Sequence, residues 1–392
     1  MTLLRSFDEA APLRESWDKL VVELQREAYA SFDWCRIWWS HYGRGRELRI
    51  FVFHAGGELV GVVPMFRERL WTCGGLRIAK LVGCDFALAI CSLLVSDPWA
   101  DEAVRRIVPY WLEEDGCGAV WLGPMNGLDS SVEHVRKACR DLGPAVRVVR
   151  DAQIGVHSSF HPAPSFDEFV QGLDKRQKQN YRRDLNLLDR TFKIESDIVT
   201  EEDAAVKEFE IFQAMHAEQW AAQGKLGHFQ DWPQGLEFNR DLTRELARLG
   251  RLRLYRLLAD GKVVSYQYGY CLGDRFCWRL PARPAGKEWD RFGLGRFGLM
   301  KMIEDAIGEG IRHIEAGCGH YDYKVQLGAQ EYPLGSMLIA ANHLGGRLRC
   351  RCLTLLSRLL HLLYYRIWFG RVAPKLPLPR RALWKSWIRT RI

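Results

Sequence analysis

The sequence has no acidic residue after Glu331, although that last segment carries 12 lysines and arginines. In the rest of the chain, 44 basic residues are slightly outnumbered by 48 acidic ones, so the net charge of +8 comes from the last segment alone. The basic character therefore belongs to a C-terminal tail and not to the protein as a whole.

Long uncharged apolar runs are also missing. Outside the C-terminal tail, no segment approaches the ~18 uncharged apolar residues of a membrane-spanning helix. The opening residues 1–9 lack a basic start followed by an apolar core, so they predict no signal peptide and, by default, a cytoplasmic location. The chain has 392 residues, 47% hydrophobic and 27% charged, which is typical of a globular protein with two domains.

Cysteines at metal-ligand spacing are absent as well. The 11 cysteines are scattered, and neither Cys350 with Cys352 nor Cys271 with Cys277 has the two-residue gap or the histidine partners of a zinc site. We therefore expect reduced thiols and no bound metal.

The apolar periodicity predicts an α/β unit in each half of the chain. In the first half it predicts helices over 13–42 and 99–115, and strands over 48–54, 59–66, 76–82, 88–95 and 118–122. In the second half it predicts helices over 166–190, 201–222, 234–249 and 295–309, and strands over 192–198, 252–258, 263–270, 275–280, 311–315 and 321–325. Each half contains a hairpin with a glycine turn, at Gly56-Gly57 and at Asp260-Gly261.

This shared order indicates a duplicated α/β unit. We expect domains over residues 1–160 and 161–344, each with a mixed sheet flanked by helices. A basic amphipathic tail over 345–392 follows them.

Several segments, in this order, carry a resemblance to a known family. They are Phe32-Asp-Trp34, Trp38-Trp39, Gly57 to Pro64, the basic helix Lys175 to Arg183, Glu218-Gln-Trp220, Asp260 to Val264, Gly295, Glu315-x-Gly-x-Gly and Tyr323-Lys324. Over residues 13–342 the chain resembles the GNAT-type acetyltransferases found with bacterial cellulose and exopolysaccharide genes, the CelD/BcsL type. It departs from that pattern at Gly293-Leu-Gly295, where the family has Ser-Pro-Gly, and at Glu315, where the family has Asp.

The resemblance implies two GNAT folds in tandem, as in the FemAB-like peptidyltransferases, and the transfer of an acyl group from a carrier to an amine or hydroxyl. Its first implication is an acetyl-CoA-dependent acetyltransferase that acts on a sugar or exopolysaccharide precursor. Two alternatives stay open: a FemAB-like transferase that uses aminoacyl-tRNA, and a non-catalytic accessory of polysaccharide synthesis.

A glycine-rich segment at a helix start is the predicted site for the pyrophosphate of acyl-CoA. Arg291, Gly293, Gly295 and Arg296 precede or open the helix over 295–309, where backbone N–H groups can bind phosphate. The alternative is structural, because the same glycines also permit a tight turn and close helix packing.

The segment 315–328 holds the predicted catalytic residues. Glu315 at a strand end, or His320, could act as general base, and Tyr323 could protonate the leaving group. Lys324 could bind a carboxylate or phosphate. Because 321–325 alternates like a strand, the glycines before it do not fit a dinucleotide-binding loop, which must open a helix.

The predicted substrate-binding residues lie on three other elements. They are Lys175, Arg176, Lys178 and Arg182 on the basic helix, Gln267 or Tyr268 on a hairpin strand, and Trp289. The basic residues suit an anionic substrate, a carrier phosphate or, under the alternative, tRNA, although an ordinary solvated helix face has the same appearance. Trp34, Trp38 and Trp39, at helical spacing, are predicted to be core residues.

The tail combines leucines with arginines. Between Arg351 and Arg366 only 14 residues intervene, and Arg358 interrupts them, so the segment is too short to cross a bilayer. It predicts a basic amphipathic helix that lies on an anionic membrane surface, which would make the protein peripheral on the inner membrane face. Nucleic-acid binding is the rival interpretation.

Overall fold

The computed structural model describes residues 1–85, 89–225, 227–230, 233–376 and 388–392. The chain forms two units, one made of Met1–Val156 with Tyr332–Ile392 and the other of His157–Glu331. The chain passes from one unit to the other after Val156 and back after Glu331. These positions lie four residues before the predicted boundary near 160 and 13 residues before the one at 344.

The first unit contains short helices packed beside a sheet. Its helices are α1 (Phe7–Ala10), α2 (Arg14–Glu23), α3 (Phe32–Tyr42), α4 (Asp97–Pro109), α5 (Ser131–Asp141) and α13 (Leu344–Leu360). Its strands are β1 (Thr2–Leu4), β2 (Glu47–Ala55), β3 (Glu58–Leu70), β4 (Leu76–Leu81), β5 (Leu94–Val95) and β6 (Ala119–Asn126). Strands β7 (Val146–Phe160) and β13 (Gln330–Ala341) carry the chain between the units.

The sheet of the first unit runs in the order β1, β2, β3, β4, β6, β13. Neighbours pair antiparallel except β4 and β6, which are parallel because α4 connects them across one face. Trp17, Trp34 and Trp38 are at most 1% exposed, which confirms that Trp34 and Trp38 belong to the core.

The second unit has the same plan. Its helices are α6 (Phe166–Gly172), α7 (Lys175–Thr191), α8 (Glu202–Ala221), α9 (Gly235–Arg248), α10 (Lys287–Asp290), α11 (Leu294–Gly308) and α12 (Asp322–Gln326). Its strands are β8 (Ile194–Val199), β9 (Leu252–Ala259), β10 (Lys262–Leu272), β11 (Arg275–Ala282) and β12 (His313–Cys318). The order is β8, β9, β10, β11, β12 and the end of β7, and only β11 and β12 pair in parallel.

Both units therefore consist of an antiparallel hairpin, a third antiparallel strand and a parallel neighbour reached through a helix. This confirms the predicted fold class, a duplicated α/β architecture with mixed sheets flanked by helices. On one face of the second sheet, α11 buries Leu299, Met300 and Ile303 against Phe276 and Trp278.

Three details of the predicted elements are wrong. The helix over 166–190 is broken, because Asp174 caps α7 by accepting a hydrogen bond from the backbone N–H of Gln177. The strand over 88–95 is reduced to Leu94–Val95 and a bridge at Cys91, while residue 88 lies outside the described residues. Residues 322–326 are helical and not a strand.

The reason for this last error is the length of the pattern. Five alternating residues are too few to separate a strand from one helical turn, and the buried side chains of Lys324 and Leu327 decide in favour of the turn. A helix does follow Gly317 and Gly319, so the predicted strand cannot be the reason to exclude a dinucleotide-binding loop. The helix that follows has only five residues, however, so few backbone N–H groups are available to bind phosphate.

The tail belongs to the first unit. After α13 a π-helical segment continues over His361–Val372, and residues 388–392 return to that unit's core. There Arg389 donates to Glu68, and its carbonyl accepts a hydrogen bond from Lys80. Within the described ranges, none of the helices combines the length and hydropathy needed to cross a membrane. Arg380, Arg381 and Lys385 lie outside those ranges.

The packing of α11 on β10 gives a testable consequence. A Cβ atom on Gly298 would lie 2.2 Å from Oγ of Ser265, whereas one on Gly308, at the end of the same helix, would meet nothing within 4 Å. We expect Gly298→Ala to lower the free energy of unfolding by about 1–3 kcal/mol because of overpacking, and Gly308→Ala to raise it by about 0.5–1 kcal/mol. Urea denaturation measures both, and equal effects would contradict the close approach.

Candidate functional site

The end of β12 and the turn of α12 bring two predicted catalytic residues together. Glu315 lies on β12 with no exposed surface, and a side-chain oxygen accepts a hydrogen bond from the backbone N–H of Gly317. Lys324 on α12 is 4% exposed, and its Nζ donates to the carbonyl oxygen of Ala316, the residue after Glu315. Gly317 has a φ of +84°, a conformation that permits this return of the chain.

The ammonium group of Lys324 is held in an aromatic setting. Its Nζ lies 4.4 Å from the centre of the Tyr321 ring and 5.6 Å from that of Trp278. Burial lowers the pKa of Lys324 to about 8, although the nearby Glu315 acts to raise it. Lys324 can therefore change its protonation state close to neutral pH, as a proton-transfer group must.

The predicted Gln267 connects to this group through Trp278. The indole N–H of Trp278 donates to Gln267 at 2.9 Å, and the amide of Gln267 donates to Ser265 at 3.2 Å. Tyr268, the next residue, points to the other face of the sheet, where its hydroxyl bonds to Thr243 and its ring stacks on Phe212. Gln267 is thus the member of this pair that contacts Trp278, the ring beside Lys324.

The two other predicted residues of this segment are more exposed. The ring of His320 bonds to Glu331 and Asp322, and these carboxylates raise its pKa. Tyr323 is 43% exposed, and burial of its hydroxyl raises its pKa. The two carboxylates favour the protonated form of His320, which suits a proton donor better than a base.

At the predicted phosphate-binding segment, the structure places a carboxylate. Gly293 is the N-cap of α11 with a φ of 62°, and a Cβ added there would lie 2.5 Å from an oxygen of Asp184. Asp184, which is buried on α7, forms an ion pair with Arg296. Gly295 is exposed, and the guanidinium of Arg291 lies over the Phe292 ring.

A helix start with a glycine and an arginine suits a pyrophosphate. Here the carboxylate of Asp184 already provides the negative charge, so a phosphate would have to displace it from Arg296.

The basic residues of α7 form a surface. Lys175, Arg176 and Arg182 are exposed and Lys178 is half-buried, and none of the four forms an ion pair with any residue that the structure describes. The opposite face of α7 buries Gln177, Asp184 and Leu188. Trp289, the last predicted binding residue, stacks on Phe192 at a ring distance of 5.8 Å and so belongs to a local aromatic cluster.

Two histidines that the sequence did not single out lie in the same unit. His216 on α8 and His228 in the following loop are joined ring to ring at 3.1 Å. The only sequence signal was the spacing of four residues between His216 and Trp220, which places both on one face of α8.

Within the described ranges, no group of three or more His, Cys, Asp or Glu side chains could hold a metal ion. All 11 cysteines lie within those ranges, and none of them forms a disulfide.

Comparison with protein families gives one match. Residues 175–325 match the acetyltransferase (GNAT) domain model, a segment that contains both Glu315 and Lys324. No curated protein matches the chain.

Solved structures share the fold over most of the chain. FemX has a TM-score of 0.61 at 11% identity and covers 87% of this chain and 98% of its own. A conserved protein of unknown function from Bacteroides thetaiotaomicron has a TM-score of 0.52 at 12% identity, covering 84% and 97%.

The C-terminal domain (DUF2156) of a protein from Agrobacterium fabrum, assigned as a lysylphosphatidylglycerol synthetase, has a TM-score of 0.51 at 11% identity and covers 90% and 96%. At such identities these likenesses concern the fold alone. They confirm the predicted fold class. The domain match confirms the predicted enzyme class, an acyltransferase.

Proposed function

We propose that this acyltransferase moves an acetyl group from acetyl-CoA to a hydroxyl or amine of a sugar or exopolysaccharide precursor, as the CelD/BcsL resemblance implies. The observation that carries the proposal is the buried pair of Lys324 and Glu315 at the end of β12, inside the segment that matches an acetyltransferase domain. A charge kept out of water beside a strand end is the arrangement that stabilises charge development during acyl transfer.

Lys324 supplies the positive charge in this proposal. Its ammonium group is fixed by the carbonyl of Ala316 and by the rings of Tyr321 and Trp278, so it does not need to reorganise when negative charge develops on the acyl oxygen. Glu315 keeps Lys324 protonated near neutral pH by its opposite charge. The exposed His320 can then exchange protons with solvent.

Donor binding at α11 gives the test of the acetyl-CoA part. If the pyrophosphate binds to Gly293, Gly295 and Arg296, it competes with the carboxylate of Asp184 for the same guanidinium. We expect Asp184→Asn to tighten acetyl-CoA binding about tenfold. The change removes a buried carboxylate that repels the pyrophosphate, and it frees Arg296 to bind the pyrophosphate. Isothermal titration calorimetry with acetyl-CoA measures the effect.

Asp189→Asn is the matched control, because Asp189 lies on the same helix but is exposed. If the two variants bind acetyl-CoA with equal affinity, the pyrophosphate does not bind at the start of α11.

The carboxylate at α11 is also the observation that favours a second candidate, a FemAB-like transferase that uses aminoacyl-tRNA. Such a donor needs no pyrophosphate at this helix, and the four basic residues of α7 without ion pairs in the described structure suit the phosphates of an RNA acceptor stem. Ribonuclease-sensitive transfer would support this candidate, and acetyl-CoA turnover without RNA would exclude it. Absence of turnover with either donor would favour the non-catalytic accessory.

We also propose that the tail holds the protein at an anionic membrane face. On α13 the side chains of Leu344, Leu348, Leu355 and Leu359 are 51–76% exposed and fall on one face, while Cys350 and Leu353 on the opposite face are buried. The helix thus turns its leucines away from its own unit. Arg347, Arg351 and Arg358 follow one edge of the exposed face, which suits lipids that combine acyl chains with negative headgroups.

A further inference from the structure

The protonation of the two histidines in the second unit follows from their partners. Nδ1 of His216 lies 2.8 Å from the carbonyl oxygen of Pro281, which can only accept, so this nitrogen carries the proton. In a neutral ring Nε2 of His216 is then an acceptor, and Nδ1 of His228, at 3.1 Å, must donate to it. The remaining nitrogen of His228, Nε2, is left with a lone pair.

The loop geometry fixes this arrangement. Gly227 has a φ of 78°, and the backbone N–H of His228 also donates to Nε2 of His216. The ring of Trp220 meets that of His228 edge to face at 4.9 Å. His228 is therefore held by one helix, α8, and through His216 by the end of β11.

Among the residues that the structure describes, the charged side chains that act on His228 are positive. Arg279 on β11, Lys225 after α8 and Lys324 on α12 lie near enough to lower its pKa, although burial is the larger cause, and the pKa falls to about 3. The pKa of His216 falls to about 4 through burial. Both rings are therefore neutral throughout the physiological range, which agrees with the proton positions derived from their partners.

We propose that Nε2 of His228 accepts a hydrogen bond from a hydroxyl of the acceptor, and that Lys225 and Arg279 bind an anionic group on the same molecule. The substrate class is then an anionic sugar, with a carboxylate or a phosphate, that is acylated on oxygen. The lone pair of Nε2 accepts a hydrogen bond from an O–H or an N–H group, and the three nearby cations disfavour an amino sugar, whose ammonium group they repel. This assignment rests on the acyl transfer proposed above.

Binding of four sugars to the full chain tests the assignment without any donor. In calorimetry we expect glucuronate and glucose 6-phosphate to bind, and methyl glucoside and glucosamine to bind at least tenfold more weakly. Preference for glucuronate over glucose 6-phosphate, or the reverse, identifies which anion the site takes. Equal binding of the neutral and anionic sugars would overturn the proposal.

Variants of His228 test its own part. We expect His228→Ala to weaken glucuronate binding about tenfold, the usual effect of losing one hydrogen bond in a buried site. His228→Gln should keep most of the affinity, because the side-chain oxygen of the glutamine reaches the position of Nε2 of His228. His54→Ala, at an exposed histidine of the other unit, is the control, and an equal result for His228→Ala and His54→Ala would refute the role.

A spectroscopic readout separates this proposal from the acyl transfer itself. In 15N NMR of the full chain, Nδ1 of His228 should be protonated and Nε2 unprotonated from pH 5 to pH 8. Titration of His228 near its ordinary pKa would overturn the assignment. Sugar binding with the expected pattern, but no transfer from any donor, would instead contradict only the proposed function.

Discussion

Replacing Lys324 with Met is expected to reduce acyl transfer by about two to three orders of magnitude, the usual effect of removing one preorganised charge from an acyl-transfer site. Met fills a similar volume beside Tyr321 and Trp278, so the local packing is kept. The initial rate of thiol release from acetyl-CoA in the presence of a sugar acceptor measures the loss.

Lys301→Met is the control for this experiment. Lys301 lies on α11 in the same unit, is partly exposed and pairs with Glu304, three residues away on the same helix. If both Met variants retain the same rate as the unaltered protein, Lys324 has no part in the reaction.

The pH dependence follows from the pKa of Lys324, which burial lowers to about 8 from its ordinary value of 10.5. Because the proposed role requires the ammonium form, the transfer rate should fall as the pH rises through about 8. Lys324→Arg should remove this fall, since arginine stays charged over the whole range. A rate that rises through pH 8 would instead assign the neutral amine as a base.

The same pKa predicts the effect on stability. Between about pH 8 and pH 10.5 the unfolded chain binds a proton that the folded chain has released, so the free energy of unfolding rises with pH in that window. In Lys324→Met this rise should disappear, because no ammonium group is left to titrate in that window. Urea unfolding at pH 7 and pH 9.5 tests both statements.

Most of the fold was predictable because long elements have periodic patterns. The hairpins at Gly56-Gly57 and Asp260-Gly261 and the helices α8, α9 and α11 lie close to the predicted ranges, since turn glycines and repeated apolar residues act locally. The helix α5 and strands β7 and β13 were not predicted. Along the first ten residues of strand β7, buried and exposed side chains do not alternate. The sequence there therefore lacks the alternation of apolar and polar residues from which a strand is predicted.

The candidate site was predictable only in part, because its chemistry depends on contacts between distant residues. Glu315 and Lys324 share a segment, and the sequence indicated both. In contrast, Asp184 meets Arg296 across 112 positions of sequence, and the partner of His216 is the backbone carbonyl of Pro281, which no side-chain pattern reveals. Such pairings are set by how helices α7 and α8 pack within the second unit, and not by local sequence.

The tail makes the second large prediction. We expect the combined change Leu348→Gln, Leu355→Gln and Leu359→Gln to weaken binding to vesicles of phosphatidylglycerol and phosphatidylcholine about 100-fold. Each half-exposed leucine contributes ~1 kcal/mol to membrane binding on entering the acyl region, less than the 1.5–3 kcal/mol of full burial. The three free energies add, so the three fold-changes in affinity multiply. Co-sedimentation with vesicles measures the partition.

Two further comparisons decide what covers the leucine face. The combined change Val22→Gln and Trp99→Gln, at side chains 40% and 45% exposed elsewhere in the first unit, should leave vesicle binding intact. Because arginines border the face, binding of the unaltered protein should also weaken as salt rises from about 0.1 M to 1 M, where the screening length falls from ~10 Å to ~3 Å. If the leucine changes instead convert a dimer to a monomer and leave vesicle binding unaltered, the face binds a second copy of the chain and not a membrane.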